Sequence, residues 1–209
     1  MNGTTHAAIG ATSGFIVANT FQANPSTTIL LVGLAGISGL IPDLDIDGKL
    51  RDKITLSHKV IQKTAQLIGI LLVFYSFYEG GTPKENWVSI GIGLGIIVGS
   101  SFIRQKHMLT MTGIGVLTGG FYIQEQWLLL FGIYILIASF LPHRSYTHSI
   151  VGVIFFGIIA SKFELALGID GVFYACLIGY VSHLIGDLKL LPFNKRGIKL
   201  FLPISSKEI

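Results

Sequence analysis

With 209 residues, 51% of them hydrophobic and only 12% charged, the chain departs from a soluble domain, in which about a quarter of residues are charged. A mean hydropathy of +0.68 and long uncharged runs at 68–77, 88–103, 127–141 and 150–159 exclude a water-soluble enzyme and indicate an integral membrane protein. The net charge of +4 calls for no nucleic-acid partner, because its distribution along the chain accounts for it.

In chain order, hydropathy predicts apolar helices over 7–23, 28–42, 60–78, 87–103, 108–123, 127–141, 149–168 and 172–191. Several are shorter than the roughly 20 residues a helix needs to cross a bilayer. The first two and 108–123 are therefore candidates for re-entrant or half-buried segments. The expectation is an all-α polytopic membrane bundle of six to eight apolar helices. Residues 1–209 read as a single membrane-embedded domain, and 192–209 as a basic C-terminal tail. The 26 glycines suit close helix packing in lipid. Cys176, alone in an apolar helix, can form no internal disulfide. No cleavable leader is expected, since Met1 to Ile9 lacks a basic stretch and carries His6.

Orientation follows from the basic residues. With the N-terminus cytoplasmic, the inner side carries Lys49, Arg51, Lys53, Lys59, Lys63, Arg104, Lys106, Arg144, Lys189, Lys195, Arg196, Lys199 and Lys207. The outer side keeps only Lys84 and Lys162. Both termini are then expected inside, and every histidine falls on that side together with the Asp43-Leu44-Asp45-Ile46-Asp47 run.

The polar clusters carry the chemistry. His183 and Asp187 are four apart, so on a helix they share one face and can reach one ion. The competing reading is a helix-end pair in which Asp187 orients His183. Asp43, Asp45 and Asp47 follow Pro42, and carboxylates this close repel one another unless a cation or basic residues neutralise them. A solvated loop paired with Lys49, Arg51 and Lys53 is the alternative, and it suits Asp47 best. His143 and His148 bracket Arg144 in a short connection. There Thr147 and Ser149 can cap the next helix, and Arg144 can grip a phosphate with both nitrogens. Lone interfacial histidines such as His6 are more often structural. His58 and His107 lie among lysines and read as surface residues. Arg104 to Thr112 faintly echoes Pro142 to Ser149, with Met111 where the second copy has His148.

In order, these clusters resemble the YdjM-like family of bacterial inner-membrane metal-dependent hydrolases. The family's early T-H, its L-P-D-x-D, H-R-x-x-T-H-S and S-H-x-x-x-D motifs and its final G-[VI]-x-[LF]-x-x-P stretch have counterparts here. They are Thr5-His6, Leu40-Ile41-Pro42-Asp43-Leu44-Asp45, His143 to Ser149, Ser182 to Asp187 and Gly197 to Pro203. The stretch between Asp187 and Asn194 is longer than the family pattern suggests. The family is distantly similar to zinc-dependent phospholipase C. The resemblance implies a His/Asp metal site, hydrolysis of a phosphoester, the bacterial cytoplasmic membrane, and a LexA-type repressor as a partner.

The resulting expectation is a divalent ion, zinc by preference, held among His6, Asp43, Asp45, His148, His183 and Asp187. Ligands of one such ion lie ~3–4 Å from one another. His143 is the expected proton carrier and Arg144 the group that meets a phosphate. A phospholipid or another membrane phosphoester is the expected substrate, with no direct nucleic-acid binding. Two rivals remain: a metal- or proton-coupled transport or binding protein, and a non-catalytic scaffold for a cytoplasmic partner. A transporter favours ionisable groups at mid-helix. Here they cluster at helix ends.

Overall fold

The computed structural model describes residues 2–44, 57–78, 83–190, 194 and 196–209, excepting the side chains of 83–85, 105 and 106. Among the described residues there are eight α-helices and no strand: α1 (Gly3–Thr20), α2 (Pro25–Ser38), α3 (His58–Tyr78), α4 (Pro83–Ser101), α5 (Gln105–Tyr122), α6 (Gln126–Ala138), α7 (Ile150–Leu167) and α8 (Val172–Gly186). Single 3-10 turns at Ile41–Asp43 and Tyr146–His148 precede or follow helices at the motif positions.

Local chemistry sets the helix ends. Helix α1 starts earlier than hydropathy suggests because the Asn2 side chain accepts from the Thr5 amide at 2.8 Å. His6 therefore lies inside α1 rather than ahead of it. Asn24 caps α2 in the same way, with Pro25 in the first turn, and the helix stops before Pro42. Helix α7 begins at the Ser149 cap and ends at Gly168, which adopts the left-handed conformation with φ 64°. Helix α8 ends at Gly186, with Asp187 as its C-cap.

Polarity is inverted relative to a soluble protein. Ile29, Phe74, Phe140 and Ile154 are exposed, while His6, Asp43, Ser139, Thr147, His148, His183 and Asp187 are buried. Among the described residues, three segments are long and apolar enough to cross a membrane: Pro25–Asp43, His58–Tyr78 and Ile150–Leu167. Helices Gln126–Ala138 and Val172–Gly186 are apolar but shorter.

The chain forms two compact units. In Ile54–Met108, α3 and α4 form a hairpin that meets at Gly69 and Gly93. A Cβ on either glycine would lie 2.7 Å from the other's carbonyl oxygen. The Gln62 amide ties α3 to the end of α4 by donating to the Ile103 carbonyl at 2.7 Å.

The other unit, Met1–Lys53 with Leu109–Ile209, holds the motifs. Its core runs through Leu31, Ala35, Tyr134, Ile135, Ala175 and Tyr180. Ala35 of α2 is the crossing point of three helices. A Cβ at Gly10 of α1 would lie 2.5 Å from the Ala35 carbonyl oxygen, and one at Gly179 of α8 would collide with the same atom.

Candidate metal centre

The turn beyond that crossing carries the site. His6 lies four residues before Gly10, Gly39 four after Ala35 and His183 four after Gly179, so one helical turn from the contact brings all three together. The imidazoles of His6 and His183 stack with centroids 3.8 Å apart. His183 Nδ1 lies 2.7 Å from the Gly39 carbonyl oxygen, which can only accept, so Nδ1 carries the hydrogen. In the neutral ring Nε2 is then a bare lone pair.

Among the described residues, that Nε2 faces two carboxylates and a second imidazole. It lies 3.6 Å from Asp43 Oδ1, 3.7 Å from Asp187 Oδ2 and 3.3 Å from His148 Nε2. His148 Nε2 is itself 3.6 Å from Asp43 Oδ1 and 4.0 Å from Asp187 Oδ2. His6 Nε2 reaches Asp187 Oδ1 at 3.3 Å, and His143 Nδ1 stands 3.9 Å from Asp43 Oδ1. A single hydrogen between the two Nε2 atoms would satisfy that one contact, and Asp187 is met in addition by His6 and Arg144. A divalent cation could join four of these atoms, His148 Nε2, His183 Nε2, Asp43 Oδ1 and Asp187 Oδ2, in one shell. Ligands ~2.0–2.2 Å from one tetrahedral ion lie ~3.3–3.6 Å from one another, and the contacts among these four atoms run from 3.3 to 4.0 Å. His6 Nδ1, on the side of the ring away from Asp187, is buried without a hydrogen-bond partner among the described residues.

The donors fall into two triads. His6, His183 and Asp187 are all buried, whereas Asp43 and His143 join the buried His148 nearer the surface. Within each triad the donor atoms lie within 4.8 Å of one another.

A supporting layer fixes the imidazoles. His148 Nδ1 pairs with Thr147 Oγ1 at 3.1 Å. Tyr180 OH donates to the Thr147 carbonyl, and Tyr134 OH lies 3.1 Å from Tyr180 OH. This chain links α6 and α8 to the Tyr146–His148 turn. The Ser149 hydroxyl caps α7 by accepting from the Gly152 amide at 3.4 Å.

Arg144 is the one basic side chain in the cluster among the described residues. It adopts φ 60°, which costs a non-glycine residue about 1–2 kcal/mol. Its guanidinium offsets this by donating to the Arg196 carbonyl at 3.0 Å and approaching Asp187 Oδ2 at 3.4 Å. Arg144 thereby ties the tail to the end of α8. Ile198 of that tail is fully buried, and the Leu200 carbonyl accepts from the Ile150 amide. Burial alone would raise the Asp187 carboxyl, but His6, His183 and Arg144 outweigh it and hold the group below the ordinary carboxylate range.

Five of the six residues singled out as ligands, His6, Asp43, His148, His183 and Asp187, come together in this cluster with His143 and Arg144. Asp45 lies outside the described residues. His183 is held through Nδ1 by the Gly39 carbonyl, and Asp187 Oδ2 stands 3.7 Å from its Nε2. His107 is exposed, and its Nδ1 accepts from the Arg104 amide at 3.0 Å. The supporting groups Gly39, Tyr134 and Tyr180 went unread. Tyr180 had one usable signal, its position three residues before His183 on the same helix face.

No curated protein and no solved structure matches the chain. The inner-membrane family anticipated from the motifs matches it over residues 1–209. The chain belongs to the YdjM inner membrane protein family.

Proposed function

We propose that this protein is a membrane-bound, metal-dependent hydrolase of phosphoesters, with phospholipid headgroups as its natural substrate class. The observation that carries the reading is the convergence of His148 Nε2 and His183 Nε2, 3.3 Å apart, on Asp43 Oδ1 at 3.6 Å from each. Buried carboxylates facing the bare Nε2 of His183 are costly unless a cation lies among them. The candidate ligands are His6, Asp43, His148, His183 and Asp187, with Asp45 as a further candidate. A divalent ion, zinc by preference for this donor set, would supply Lewis acidity that activates water near neutral pH and polarises a phosphoryl oxygen.

The residues themselves account for binding and access. The His143 and Arg144 side chains are 32% and 25% exposed, so this rim is where a substrate would enter. There the guanidinium meets a phosphate without leaving Asp187. The donors sit within about one turn of helix ends, which suits a substrate presented at the headgroup layer. The distribution of lysines and arginines supports a cytoplasmic position for this surface and for both termini.

Purified protein reconstituted into phospholipid vesicles should retain zinc and release soluble phosphorylated headgroups, and a chelator should stop the release. Retained zinc with every phosphoester intact would favour a binding or transport role. Absence of metal would favour a scaffold.

A further inference from the structure

We propose that the cluster holds two ions in unequal positions: a sealed one formed by His6, His183 and Asp187, and an open one formed by Asp43, His143 and His148. The proposal rests on the metal-site reading above and adds to it the number of ions and the role of His143.

Three observations carry it. First, six side chains converge, while one tetrahedral ion takes four ligands. Second, they form two triads, each within 4.8 Å, that share an edge where His148 Nε2 and His183 Nε2 are 3.3 Å apart, a contact as short as that of His6 with Asp187 inside one triad. Asp43 Oδ1 is 3.6 Å from both nitrogens and so stands between the two sets, in reach of either ion. Asp187 spans the same boundary, with Oδ1 toward His6 and Oδ2 toward His183 and His148. Third, the sets differ in access. His6 is 1% exposed, His183 0% and Asp187 3%; in the other set His148 is 0% and Asp43 8% exposed, and access comes through His143, whose side chain is 32% exposed.

His143 then changes role. Its Nδ1 stands 3.9 Å from Asp43 Oδ1 and its ring meets His148 edge-on at 5.1 Å. That arrangement suits a nitrogen donor to the open ion better than a free proton carrier. Because its surroundings are partly solvated, the open ion exchanges faster than the sealed one. Paired sites of this kind clamp a phosphoryl group between two cations, and the rim at Arg144 is where that group would arrive.

The test is a zinc count on the full chain in detergent, loaded with zinc and freed of excess by desalting, followed by release into a chelator. Wild-type protein should carry two equivalents, of which one leaves at least tenfold faster than the other. His143→Ala should carry one equivalent, the slowly released one. His6→Ala should keep a fast one. One equivalent in wild type, unchanged in His143→Ala, overturns the second ion while leaving the metal site intact. Two equivalents released at a single rate overturn the inequality. No retained zinc removes the metal reading itself, and the proposal with it. The wild-type count and release curve decide the matter even where a variant does not fold.

Discussion

Two glycine crossings in this protein are built alike and carry different outcomes. In the α3–α4 hairpin, Gly69 and Gly93 let two backbones touch, and the neighbouring polar groups, Gln62 and Ser101, make hydrogen bonds that hold the hairpin together. In the α1–α2–α8 crossing, Gly10 and Gly179 close on Ala35, and the next turn presents two imidazoles and a carbonyl. Close packing is therefore only the scaffold. The difference lies in what the turn beyond the contact carries: here two stacked imidazoles, one held by a carbonyl, beside a buried carboxylate.

The largest effect should come from filling each crossing. Gly179→Val and Gly69→Val both force a side chain into backbone, and each should cost about 1–3 kcal/mol of stability. Thermal unfolding in detergent would report both losses. Only Gly179→Val should also lose zinc, because it separates His183 from Gly39 and Asp43. Zinc loss in both variants would mean that the two crossings are not independent scaffolds.

A smaller effect should separate the rim from the ligands. Arg144→Lys keeps the charge beside Asp187 but cannot also reach the Arg196 carbonyl in the same fork. Zinc content should remain at the wild-type level, while phosphoester turnover falls about tenfold, equivalent to ~1.4 kcal/mol. Loss of zinc in this variant would make Arg144 chiefly a clamp on Asp187.

The smallest effect should come from His107→Ala in the hairpin unit. Its Nδ1 takes the Arg104 amide at the start of α5, much like the return bond of a capping box. Removing it should cost about 0.5–1 kcal/mol and leave zinc unchanged, as read by unfolding and elemental analysis.

Much of the architecture was legible because apolar runs report helices directly: each of the eight predicted segments overlaps one observed helix. The ends were less so. Asn2 starts α1 ahead of its apolar stretch, and the last helix stops at Gly186 although apolar residues continue to Leu191. In the site, His183 and Asp187 were visible through their four-residue spacing, and Asp43 through its crowding with other acids. His6 gave a weak signal, since a lone histidine says nothing of a partner 177 positions away; only the Gly10–Ala35–Gly179 contact brings it to His183. The Gly39 carbonyl and the Arg196 carbonyl gave none, because backbone groups have no sequence signature.

The central claim is that these histidines and carboxylates ligate a divalent ion. Zinc-edge X-ray absorption on the loaded protein tests it most directly, with wild type and His183→Ala measured side by side. The account predicts a shell of nitrogen and oxygen only, at ~2.0–2.1 Å with imidazole scattering, that is depleted in the variant. A sulfur shell near ~2.3 Å would place the metal at Cys176 instead. Together with a spectrum unchanged by His183→Ala, it would contradict the account.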